Sequence, residues 1–187
     1  LILTLSLFMQ DTVMEPYGGE VFGMCISETT KLNAFFGIGT LLGIGSTGFL
    51  MLPKLGKKQT TKIGCIFSIV CFTLSIAAGI IRDENLLKFG LLVLGLASGI
   101  ITAGATSLML DLTVAETAGT FIGAWGLSQA MARGFSTVLG GVVLHIGKSI
   151  FSVPVFSYSL VFLMQGIGMI FAINILKQVS VKEFKND

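Results

Sequence analysis

LKFGLLVLGLASGIITAGATSLML, residues 87–110, decides which solvent this chain folds in. Lys88 is its single charged residue, and a helix that crosses the hydrocarbon of a bilayer takes roughly 20 apolar residues. Stretches of the same kind lie on either side, over residues 32–52, 63–81, 118–146 and 155–176, and a further apolar run opens at Leu1. With 53% hydrophobic and 12% charged residues, the chain cannot surround a single core with a surface of ordinary polarity. The expected fold is an all-α membrane protein with the lipid bilayer as its first partner. Leu1 to Met9, without a basic region or a small-residue cleavage site, is expected to be the remainder of a longer span rather than a signal peptide.

Net charge is only +2, but its placement is informative. Lys54, Lys57, Lys58 and Lys62 cluster between the second and third spans, and Lys177, Lys182 and Lys185 follow the last. In a six-span path both clusters fall on one side, which the positive-inside rule assigns to the cytoplasm. Alternation then puts residues 111–116 inward as well, and residues 82–88 and 148–154 outward. Short connections between the spans predict one compact bundle. Cys25, Cys65 and Cys71 form no CxxC and have no histidine beside them, so they are expected to be small apolar fillers rather than metal ligands or a disulfide.

Twenty-four glycines are too many for passive membrane rods. Gly39 with Gly43, Gly95 with Gly99 and Gly119 with Gly123 are each four residues apart. Small residues one helical turn apart let helices approach closely, and these three pairs are expected to be packing faces.

Intramembrane charge is costly and marks a pair, a switch or a pathway. Arg133 lies near the middle of the fifth span, and Trp125, Gln129 and Arg133 recur at a spacing of four, with Ser136 and Gly140 nearby. That spacing predicts one face, turned into the bundle. Asp11 and Glu15 are likewise one turn apart. Pro16, Gly18 and Gly19 follow at once, so the first helix is expected to end or break near Glu15 and to leave residues 11–20 lining a cavity. Glu20 belongs to the same string, and the single histidine, His145, lies near the outward end of the fifth span. Imidazole there suits a pigment's magnesium or a proton relay, or only a hydrogen bond. Ser98, Thr102 and Thr106 make a mild polar stripe whose hydroxyls are expected to bond their own helix. Glu116 suits the start of the fifth helix, where its charge meets the helix dipole. No catalytic set, metal grouping, phosphate loop or nucleic-acid-binding patch emerges, and an enzyme is not expected.

GFLMLPKLGKK, residues 48–58, resembles the glycine and basic-residue motif between paired helices of the major facilitator superfamily, but lacks the acid of that motif near Leu52 and Pro53. Three longer strings are more specific: QDTVMEPYGGEVFGM from Gln10, ETTKLNAFFGIGTLLG from Glu28 and LDLTVAETAGTFIGAWGLSQAMARG from Leu110. In order and spacing they resemble the second half of the PucC family, the bacteriochlorophyll-delivery branch of that superfamily.

The resemblance implies the C-terminal six-helix half, residues 1–187, of a twelve-helix bundle whose N-terminal half is missing. It also implies an assembly factor for light-harvesting complexes in a photosynthetic membrane, thylakoid or bacterial inner or intracytoplasmic. Chlorophyll or bacteriochlorophyll would be its transient ligand, and antenna polypeptides and pigment-synthesis enzymes its partners. Asp11, Glu15, Glu20, Gln129, Arg133 and His145 are the candidate pigment-binding groups. A solute or proton-coupled transporter using Asp11, Glu15 and Arg133, and a pure scaffold in which the charges only fix packing, are the alternatives.

Overall fold

The computed structural model describes residues 1–111, 113 and 118–178, so the expectations for Glu116, Lys182 and Lys185 lie outside the described residues. Every regular element among the described residues is helical: α1 (Ile2–Phe8), α2 (Gln10–Phe22), α3 (Ile26–Ser46) continuing through a π-helical turn (Thr47–Met51) into α4 (Leu52–Leu55), α5 (Lys57–Ile81), α6 (Glu84–Asp111), α7 (Ala118–Ile150) and α8 (Pro154–Gln178). Among the described residues, five helices are long and apolar enough to cross a membrane: α3 with its extension, α5, α6, α7 and α8. They coincide with the five complete spans read from sequence, and extend beyond them where polar ends such as Lys57–Lys62 continue the helix past the apolar run.

The leading segment departs from expectation. No break occurs at Glu15: α2 runs through Pro16 to Phe22, and the interruption falls earlier, at Met9. Proline removes one backbone donor and crowds the preceding turn. Pro16 is exposed, on a side of α2 where no neighbour resists that distortion, and the helix goes on past it. Termination is the work of Gly23, whose φ of 72° is left-handed, with Met24 N–H bonded to the Gly18 carbonyl at 3.2 Å.

Other helix ends follow from local chemistry. Asp83 caps α6, its carboxylate accepting from the backbone N–H groups of Asn85 at 2.8 Å and Leu86 at 3.3 Å. Pro154 opens α8 at a first-turn position, where its missing N–H has no cost. Cys25 corrects an expectation: it is exposed at the start of α3, its N–H donating to Glu28, whereas Cys65 and Cys71 are buried fillers.

The α6 helix sits at the centre, with 56% of its apolar window buried, against 17% for the α3 span and 22% for α7. Glycine makes its contact with α3 possible. A Cβ built on Gly39 or Gly43 would overlap the Leu92 or Leu96 carbonyl, and one on Gly95 or Gly99 would overlap the Phe36 or Thr40 carbonyl. The close approach is therefore reciprocal, two glycines from each helix. Gly119 and Gly123 do not behave this way. Open space surrounds both, because they lie on a side of α7 that no helix among the described residues covers.

Tyr17 closes the core beneath α2. It is fully buried, its hydroxyl donates to the Ser75 carbonyl at 2.7 Å, and its ring lies 5.1–5.4 Å from those of Phe22, Tyr158 and Phe162. Gly79 makes room for that hydroxyl, and Gly18 packs against Thr29 and Leu32. At one end of the bundle Lys57 pairs with Asp111 at 2.6 Å and Lys58 donates to the Lys177 carbonyl; at the other Lys148 pairs with Glu20 at 2.6 Å. These contacts group the chain ends as alternation of the spans requires.

Candidate functional site

Two adjoining cavities lie where α1, α6 and α7 meet. One of about 120 Å³ is lined by Thr4, Phe8, Thr102, Thr106, Gln129 and Arg133 among others. The second, about 380 Å³, extends toward the Lys57–Asp111 end past Leu108, Met109, Phe121 and Leu176. Leu3, Thr4, Ala105, Trp125 and Gln129 line both, so the two form one groove. Its walls are mainly apolar, with polar groups gathered at the Arg133 end.

Local sequence explains that gathering. The small Ala105 on α6 lines the groove opposite Trp125 and Gln129 of α7. Thr4 on α1 donates from Oγ1 to Oε1 of Gln129, a contact across 125 positions. Thr102 and Thr106 make no hydrogen bond to their own helix among the described contacts and line the cavity instead, contrary to the expectation from sequence. Neutral donors and acceptors are thus available to a ligand without breaking a helix.

Arg133 was expected to face inward with Trp125 and Gln129. Those two are half-buried, but Arg133 is exposed at the groove's rim, with its guanidinium 4.2 Å from the centroid of Phe8. Helix geometry supplies the reason. Each step of four residues overshoots a turn by about 40°, so two steps carry Arg133 about 80° around from Trp125. Ala132, Ser136 and Gly140 take the buried face.

The remaining candidates separate into two groups. Asp11 and Glu15 are both exposed on α2; Asp11 is within electrostatic reach of Arg133, and Glu15 accepts from Nδ2 of Asn33 at 2.7 Å. These groups are set out from Arg133 on α7 past Phe8 on α1 and the acids of α2 to Asn33 on α3, along an open side rather than an enclosed interior. Glu20 and His145 stand apart. Glu20 is engaged by Lys148 at the far end of the bundle, and His145 is exposed on α7, lining neither cavity.

Sequence reasoning missed Thr4 and Phe8, which lay within a run read only for its hydropathy. A polar Thr4 one turn before Phe8, and Phe8 three residues before Asp11, were the available signals. It also missed the Lys57–Asp111 pair, for which the position of Asp111 directly after an apolar run was the available signal.

The PUCC protein family model matches residues 1–184. The chain belongs to the PUCC protein family. Among curated relatives, Protein PucC of Rhodobacter capsulatus is 32% identical over 142 residues, 75% of this chain and 31% of that protein. An uncharacterized protein encoded in the puhA-bchM intergenic region of the same organism is 30% identical over 178 residues, 90% of this chain and 37% of its own length. A third, the bacteriochlorophyll synthase 44.5 kDa chain of Rhodobacter capsulatus, is 31% identical over 138 residues, 71% of this chain and 32% of that protein. The PUCC chain therefore spans about a third of the length of these relatives. No solved structure matches it.

Proposed function

We propose that this protein is a non-enzymatic assembly factor for photosynthetic light-harvesting complexes, one that handles chlorophyll or bacteriochlorophyll and presents it to antenna polypeptides in a photosynthetic membrane. Family membership supports the setting, and one relative carries bacteriochlorophyll in its name. The observation that carries the reading is the α1/α6/α7 groove: about 380 Å³ of mainly apolar space with Trp125 and Gln129 on its wall and Arg133 at the adjoining end. Small-molecule sites combine such an apolar surface with a few polar groups that fix orientation. A large flat pigment would use the groove as one wall, with the open side of α7 and its uncovered glycines leaving space for the rest.

Affinity purification from photosynthetic membranes tests this. Recovery of pigment together with antenna subunits is expected, and recovery of neither would overturn it. A transporter is the second reading, favoured by Arg133, Asp11 and Glu15 on the same open side. Solute or proton flux in vesicles that falls with Arg133→Gln would support transport, and flux indifferent to that change would remove the arginine from any pathway.

A further inference from the structure

Arg133 presents a chemical demand that the described residues leave unmet. Near mid-span its guanidinium has five N–H donors and a fixed charge, yet no side chain hydrogen-bonds to it and no ion pair engages it among the described residues. It lies over the face of Phe8. Asp11, the carboxylate within electrostatic reach, makes no direct ion pair with it. A charged side chain at this depth is expensive and is normally met by a counter-charge or by water in a cavity. Here the cavity is present, and its other polar groups, Thr4, Thr102, Thr106 and Gln129, are neutral.

Resting on the pigment-handling reading above, we propose that the groove takes up the pigment in its free-acid form, before esterification, as a mostly apolar macrocycle bearing one carboxylate, and that Arg133 binds that carboxylate. The esterified pigment is held more weakly and so released. The planar guanidinium fork matches a carboxylate with two parallel hydrogen bonds, which neither an ester nor a hydrocarbon tail provides. Trp125 stands eight residues away, about 12 Å along the helix axis. A flat ring lying against Trp125 and the apolar wall therefore reaches Arg133 with a group on its periphery. A phosphate-bearing lipid would meet the same demand for an anion, but offers no flat surface to Trp125.

Trp125 is the sole tryptophan and lines both cavities, so quenching of its emission reports binding directly. The full chain in nanodiscs of neutral lipid would be titrated with bacteriochlorophyllide a and, separately, with its phytyl ester, bacteriochlorophyll a. Nanodiscs containing phosphatidylglycerol form a further arm. Wild type is expected to bind the free acid about ten-fold or more tightly than the ester, the worth of one charge-assisted pair. Arg133→Gln should bring the ratio close to one, and Arg133→Lys, which keeps the charge but not the paired donors, should retain only part of the preference. Equal binding of acid and ester by wild type would overturn the inference while leaving pigment handling intact. Binding of neither would overturn both, and loss of the preference in phosphatidylglycerol discs would assign Arg133 to a lipid phosphate and overturn the inference as well.

Discussion

Tyr17 shows how much of a string that looks functional is packing. Between the exposed Glu15 and Glu20, it turns inward, donates to the Ser75 carbonyl on α5 and fills the space left by Gly79. Tyr17→Phe keeps the ring and loses only the hydrogen bond, so thermal unfolding in detergent should register a loss of about 0.5–1.5 kcal/mol. Tyr17→Ala also deletes the aromatic contacts with Tyr158 and Phe162 and should cost about 3–5 kcal/mol. Unchanged stability in the alanine variant would contradict this account of the core. The same residue marks what sequence could reveal. Asp11, Glu15, Gln129 and Arg133 were legible as unusual because polarity stands out in an apolar chain. Their partners were not, because Thr4 and Gln129 meet across 125 positions and no periodicity within one helix encodes such a meeting. Arg133 illustrates a further limit, since a spacing of four is close to, but not equal to, one turn.

Among the elements, the spans were the most legible feature, because hydrocarbon thickness imposes one length on every helix that crosses it. The glycine pairs divide. Gly39, Gly43, Gly95 and Gly99 bring α3 and α6 together, whereas Gly119 and Gly123 have nothing beside them. Sequence could not distinguish these cases, as the spacing is identical and only the placement of the third helix decides. Gly95→Ala places a methyl against the Phe36 carbonyl and should destabilise the bundle by about 1–3 kcal/mol in the same unfolding assay. Gly123→Ala should leave stability within about 0.5 kcal/mol, since open space receives the added methyl. Equal losses from the two variants would show that the α3–α6 approach is not what those glycines serve. Pro16 teaches a related lesson: a helix breaker read from composition did not break the helix, because its side of α2 is unopposed.

At the scale of the whole molecule, α6 forms the buried axis and α7 the most open long wall after α3, with the groove between them closed on its third side by α1. This arrangement places apolar volume beside the Arg133 guanidinium, the combination that the proposed pigment with a polar edge would use. None of it depends on the Lys148–Glu20 pair or on His145, which lie elsewhere. The most direct measurement is therefore positional: label the membrane-embedded chain with a photoreactive bacteriochlorophyll analogue and map the adducts by mass spectrometry. Adducts should concentrate on α7 between Trp125 and Arg133 and on α1 around Thr4 and Phe8. Labelling confined to the opposite end of the bundle near His145, with those two segments unmodified, would contradict the groove as the pigment site.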